Sequence, residues 1–152
     1  MNYSKALNEC IESAYMVAGH FGARYLESWH LLIAMSNHSY SVAGATLNDY
    51  PYEMDRLEEV ALELTETDYS QDETFTELPF SHRLEVLFTE AEYVASVVHA
   101  KVLGTEHVLY AILHDGNALA TRILERAGFS YEDQKDQVRI AALRRNLEER
   151  AG

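Results

Sequence analysis

Four consecutive residues, Gly104-Thr105-Glu106-His107, place a hydroxyl, a carboxylate and an imidazole within one helical turn. An acid beside an imidazole invites an acid–base reading, yet adjacent side chains on a helix diverge by about 100° and seldom act on one atom. Read as a helix start, the segment makes simpler sense. Thr105 as N-cap satisfies a first-turn amide, and Glu106 inside that turn is favoured by the helix dipole. Seventy-seven residues earlier stands Glu27-Ser28-Trp29-His30, which keeps a hydroxyl and the imidazole and carries tryptophan in place of the acid.

The matched histidines, His30 and His107, bring a metal to mind, but neither has a second ligand at metal spacing. No His-Glu-x-x-His occurs and Cys10 is the single cysteine, so no metal ligands are assigned. A buried imidazole bonded to backbone is expected at both positions. His20, His99 and His114 have no counterpart in the other segment and are expected at the surface or at element boundaries. Nucleophile signatures are missing: there is no Gly-x-Ser-x-Gly and no glycine-rich phosphate loop. Cys10 falls mid-helix on or beside an apolar face, a structural position. No residue is assigned a catalytic role.

The chain has 152 residues, 47% of them hydrophobic, enough for one globular domain or two very small subdomains sharing a core. No run approaches the roughly 18 apolar residues of a membrane span, and the first residues, Met-Asn-Tyr-Ser-Lys, lack a signal-peptide core. With a lone cysteine, cytoplasm is the expected compartment. A net charge of −13 argues against nucleic acid as a partner, because a binder presents a basic face. Between Glu53 and Glu77 ten acids stand against Arg56 alone, a solvated face, and the stretch from Arg139 is the most basic.

The elements that must position these residues come in two copies, offset by 77. Ser4 falls on Ser81, Leu7 on Leu84, Ala14 on Ala91, Ala18 on Ala95, Leu26 on Leu103, Leu32 on Leu109 and Leu47 on Leu124 without a gap. Small and apolar positions match while others drift, as two copies of one packing pattern require. Leu7, Ile11, Ala14 and Ala18 trace one face of a first helix over about 4–19, with Ser4 as its N-cap. Ser28 caps a second helix through Met35, and Ser41 starts a third that ends at Asn48-Asp49-Tyr50-Pro51. Met54, Leu57, Val60, Ala61 and Leu64 give the apolar face of a fourth. The second copy repeats the plan from Ser81, Thr105 and Asp115-Gly116-Asn117, with Gly128 closing its third helix and a last helix running from about Tyr131 through Val138, Ile140 and Leu143. No period-two strand pattern occurs. The expected fold is all-α, eight helices as a tandem repeat of two four-helix motifs with pseudo-two-fold symmetry: first repeat 1–66, acidic linker 67–79, second repeat 80–148.

With Gly-Thr-Glu-His-Val-Leu opening a short helix, Ala95 to His99 before it and Ala120 to Leu124 after it, the second copy resembles the repeat of the N-terminal domain of Clp-type AAA+ unfoldases. The first copy supplies Ala18 to Gly22, Glu27 to Leu32 and Ala43 to Leu47, and the resemblance spans roughly residues 3–145. It implies an accessory domain, not itself an enzyme, that captures substrates or adaptor proteins on a hexameric Clp ATPase feeding a Clp peptidase. ATP would bind only to downstream modules, whose Walker motif this chain lacks, so no cofactor is expected and the chain looks like an excised, monomeric domain. In the ClpC-type branch the Thr-Glu pair resembles a pocket for phosphoarginine: a carboxylate can hold a guanidinium in a forked bond while amides and hydroxyl hold the phosphoryl group. The resemblance assigns Thr105 and Glu106 to that pocket and Val102 and Leu103 to its entrance. In the first copy Ser28 keeps the hydroxyl but Trp29 cannot accept from guanidinium, although it could stack on one, which implies one intact pocket and one lost or repurposed. The adaptor surface is expected to involve both copies and the linker. The rival reading is a free-standing two-repeat protein that regulates a complex by binding.

Overall fold

A computed structural model describes residues 1–50, 56–67 and 77–151, with side chains to residue 145. Among them eight helices follow in order: α1 (Lys5–His20), α2 (Ser28–Asn37), α3 (Val42–Asn48), α4 (Leu57–Leu64), α5 (His82–Val97), α6 (Thr105–Asp115), α7 (Ala118–Arg126) and α8 (Tyr131–Ala151). The described residues hold no strand, and the all-α, eight-helix expectation stands. Pro51, Met54 and residues 68–76 of the expected linker lie outside the described residues, as do Glu53, Asp55, Asp68, Asp72 and Glu73 of the acidic run.

The two copies begin and end their first helices alike. Ser4 accepts from the Leu7 amide and Ser81 from the Leu84 amide, each at 3.1 Å, caps that contribute about 1 kcal/mol apiece. At the far ends the chain turns back through one motif twice: Ala23 N–H reaches Ala18 O at 3.0 Å, and Ala100 N–H reaches Ala95 O at 2.8 Å. Leu7, Cys10, Ile11 and Ala14 bury the inner face of α1, and Leu84, Leu87, Phe88 and Ala91 that of α5.

Helices α2 and α6 lie at the centre, in contact with each other and buried on nearly every side. That is why their sequences are apolar all round rather than in a stripe. Each copy sends later helices across to the other: α3 packs on α6 and α8, while α7 packs on α2 and α4. The extended lead-ins cross over too. Ser4 N–H donates to Leu103 O and Leu103 N–H to Asn2 O, both 2.8 Å, mirrored by Ser81 to Leu26 at 3.0 Å and Leu26 to Pro79 at 2.9 Å. A single apolar cluster therefore spans both copies, from Leu7 to Ala142.

Two details depart from the sequence reading. Ser28 and Thr105 are the first helical residues, not the caps; Glu27 and Gly104 hold the N-cap positions. On α8, Val138 and Ala142 are buried but Ile140 is 44% exposed, since two residues along a helix is about 200° and only one stripe of α8 meets the core. Among the described residues no helix is long and apolar enough to cross a membrane.

Candidate functional site

At the start of α6 the imidazole of His107 does what glutamate does in a capping box. Its Nδ1 accepts the N-cap amide of Gly104 at 2.9 Å, and His30 Nδ1 accepts that of Glu27 at the same distance in the first copy. Both rings are buried, as expected from the sequence. Burial drives His30 down to about 3, so it is neutral at pH 7 and its unprotonated Nδ1 is free to serve as acceptor. Glu106 Oε1 lies 3.3 Å from His107 Nδ1, but a nitrogen that accepts an amide carries no proton to share, so this approach is no ion pair.

Glu106 is buried to 4% exposure, its carboxylate folded back over the N-cap residue. A Cβ on Gly104 would sit 2.1 Å from Glu106 Oε1, which explains why glycine precedes Thr-Glu: the acid occupies the space a side chain would fill. Thr105 reaches across to the other copy. Its Oγ1 accepts the Ala43 amide at 3.1 Å and retains a hydroxyl hydrogen to donate.

These residues border a cavity of about 580 Å³ between the copies. Thr105, Glu106 and Gly104 form one wall, Tyr40, Ser41 and Val42 from the start of α3 another, and Ser4 with Ala6 a third. Residues His99 to Val102, from the turn after α5, complete its lining. Tyr40 is held at the mouth by a hydrogen-bonded chain: Ser13 Oγ to His38 Nε2 at 2.7 Å, His38 Nδ1 to Tyr40 Oη at 2.6 Å, and Tyr40 Oη to Glu9 Oε2 at 2.5 Å. The hydrogen bond that the phenol donates to the Glu9 carboxylate pushes Tyr40 up to about 12. Among the described residues no group of three or more His, Cys, Asp or Glu could hold a metal ion.

The model of the Clp repeat (R) N-terminal domain family matches residues 2–127. The chain belongs to the Clp N-terminal domain family. Solved structures agree in fold across nearly the whole length. One is the N-terminal domain of the Caseinolytic protease associated chaperone ClpD from Arabidopsis thaliana, at TM-score 0.75 and 19% identity, covering 95% of this chain and 94% of that one. A chain from structural investigations of a malarial protein secretion system gives 0.73 at 22% identity, covering 98% and 97%. The Hsp104 N-terminal domain from Candida albicans gives 0.69 at 18% identity, covering 94% and 90%. The Clp N-terminal fold is an accessory domain of Clp ATPases without a catalytic centre.

Within this Clp N-terminal domain the structure brings Thr105, Glu106 and Val102 to one cavity. Leu103 does not join them. It is fully buried in the shared core, where its backbone bridges Tyr3 of the other copy. The first copy is built differently. Ser28 is buried, and its Oγ finds no hydrogen-bond partner among the described residues. Trp29 is wedged between Phe21 and His30, ring centroids 4.8 and 3.9 Å away. Sequence reasoning missed Tyr40, Ser41, Val42 and Ser4 as cavity walls, since nothing local in a helix start tells which distant element will face it.

Proposed function

We propose that this Clp N-terminal domain docks protein substrates and adaptor proteins for a Clp ATPase of the ClpC type, and that the cavity at the start of α6 receives arginine-phosphorylated side chains on them. The observation that carries this reading is the convergence of Thr105, Glu106 and the start of α3 on one 580 Å³ cavity. Glu106 supplies a carboxylate for a guanidinium, held in a largely dehydrated setting where a charge-assisted pair is strong. Thr105 supplies a hydroxyl, and the first amides of α6 supply the positive end of a helix dipole for a phosphoryl group. A ligand that is cationic at one end and anionic at the other matches that arrangement.

The first copy supports the expectation of a single pocket. Trp29 stands where an acid would be needed and is already packed against two aromatic neighbours. In this reading the cavity binds one phosphoarginine per chain, and the domain works beside ATPase modules and a Clp peptidase without catalysis of its own. Calorimetry with free phosphoarginine on the wild type and on Glu106→Ala tests it. Saturable binding near one equivalent, abolished by the substitution, is expected. Two equal sites, or binding that Glu106→Ala leaves untouched, would refute the single charged pocket. Silence of the wild type would leave adaptor proteins as the remaining ligands.

A further inference from the structure

Helix α5 turns an apolar stripe toward solvent as well as toward the core. Val86, Glu90, Tyr93 and Val97 follow at spacings of four, three and four, which brings them within about 60° of one another around the helix. Val86 is 47% exposed, Tyr93 73% and Val97 58%. Exposed apolar side chains scattered singly are ordinary, but three aligned along about three turns of one helix form a face. Beside that face a cavity of about 480 Å³ opens between Tyr93 and Val94 of α5, Tyr110 and Ala111 of α6, and Arg139 of α8.

The repeat does not call for this stripe. At the three equivalent positions α1 carries Glu9, Met16 and His20, and the chain's own residues engage the polar two. Tyr40 Oη donates to Glu9 Oε2, and His20 Nδ1 pairs with Glu58 of α4. On α5 the same positions are all apolar and left open.

The charges around the stripe select its partner. The cations that border it are already engaged: Arg83 Nε lies 2.9 Å from Asp115, and Arg139 lies 2.6 Å from Asp136 with its guanidinium over the Tyr110 ring, 4.8 Å from the centroid. The acids are not matched. Glu85 and Glu90 are exposed and enter no ion pair among the described residues, and Glu92 meets the Met1 amine at 4.0 Å. We infer that the outer face of α5 docks an amphipathic helix of a partner protein. Its apolar stripe lies on Val86, Tyr93 and Val97, and its flanking lysines or arginines face Glu85, Glu90 and Glu92. A second copy is the wrong occupant, because it would bring the same acids and another −13 of charge to the interface. The stripe shares no residue with the cavity at the start of α6, and the inference does not depend on phosphoarginine.

The test is titration of the 152-residue chain, followed by fluorescence anisotropy, with three labelled synthetic helices of about four turns. The first has a leucine stripe flanked by lysines, the second has glutamate in place of lysine, and the third keeps the first's composition with its leucines spread around the helix. The first should bind, and the other two at least about tenfold more weakly. Tyr93→Gln with Val97→Gln changes exposed positions to a good helix former and should leave Tm within about 2 °C while weakening the first helix about tenfold or more. Glu85→Gln with Glu90→Gln should weaken it about threefold at low salt and flatten its salt dependence, and Glu106→Ala should leave it unchanged. Failure of the first helix to bind overturns the inference, as does equal binding of either control helix or of either double variant. So does loss of binding in Glu106→Ala, which would put the helix in the other cavity. Sedimentation of the chain alone should show a monomer; a dimer that the Tyr93, Val97 variant loses would give the face to self-association instead.

Discussion

Acidification should destabilise this domain through His30, and the size of the effect follows from its burial. The folded protein keeps the imidazole neutral because the ring is fully buried and its Nδ1 is committed as an acceptor for the Glu27 amide. Unfolded, the same side chain titrates at about 6.5; folded, at about 3. Between those values the unfolded chain takes up a proton that the folded one refuses, so stability falls as pH falls. At about 1.4 kcal/mol per pH unit, lowering the pH from 7 to 4 crosses about 2.5 units of that window and costs about 3 kcal/mol. That is a large share of the 5–15 kcal/mol typical of a whole domain. The assay is urea denaturation of wild type and His30→Asn at both pH values. Asparagine offers an oxygen near the Nδ1 position and does not titrate. The variant should start about 2 kcal/mol below wild type at pH 7 from lost packing, then lose about 3 kcal/mol less on acidification. Every other titrating group is common to both proteins and cancels in the difference. Equal losses in the two proteins would refute the claim that His30 is held neutral.

The unlike partners of two equivalent hydroxyls predict unlike responses. Thr105→Val leaves the Ala43 amide buried without its acceptor and should cost about 1–3 kcal/mol by urea denaturation, whereas Ser28→Ala removes a hydroxyl with no partner among the described residues and should be neutral or stabilising by up to about 1 kcal/mol. Gly44→Ala brings a Cβ to 1.9 Å from His38 O and 2.6 Å from Met35 O, backbone atoms that cannot swing aside; the variant should lose at least about 3 kcal/mol or fail to fold, seen by circular dichroism. Cys10 is fully buried and burial pushes its thiol up to about 11, so a disulfide reagent at pH 8 should label it only at the rate of unfolding, and fast labelling of the native protein would contradict its burial.

Much of the fold was legible because its signals are local and repeated. The 77-residue offset, the apolar faces of α1 and α5, and their serine caps all depend on residues within a turn or two of one another. The two buried histidines were legible for the same reason: a matched imidazole in an apolar segment with no second ligand nearby has backbone as its natural partner, and the partner lies three residues away. Reading Ser28 and Thr105 as caps erred by one position. Ser and Thr favour the N-cap, but here each is the first helical residue, and the histidine at the third helical residue accepts the amide of the Glu27 or Gly104 that holds the cap.

The sequence by itself determined the helices, their duplication and the residue types at the α6 start, because hydrophobic period and capping act over a few residues. Only the tertiary structure decided that the hydroxyl of Thr105 accepts an amide from a helix of the other copy while that of Ser28 finds no partner among the described residues, and that Leu103 is buried while Val102 is exposed. It also decided that a cavity opens where Tyr40, Ser41 and Ser4 meet residues 99–106. Those outcomes rest on contacts between residues some 60 or more positions apart, such as Ala43 with Thr105, and on small differences in how two similar copies fit. A repeated sequence dictates two equal halves; the packing of one half against the other makes them unequal.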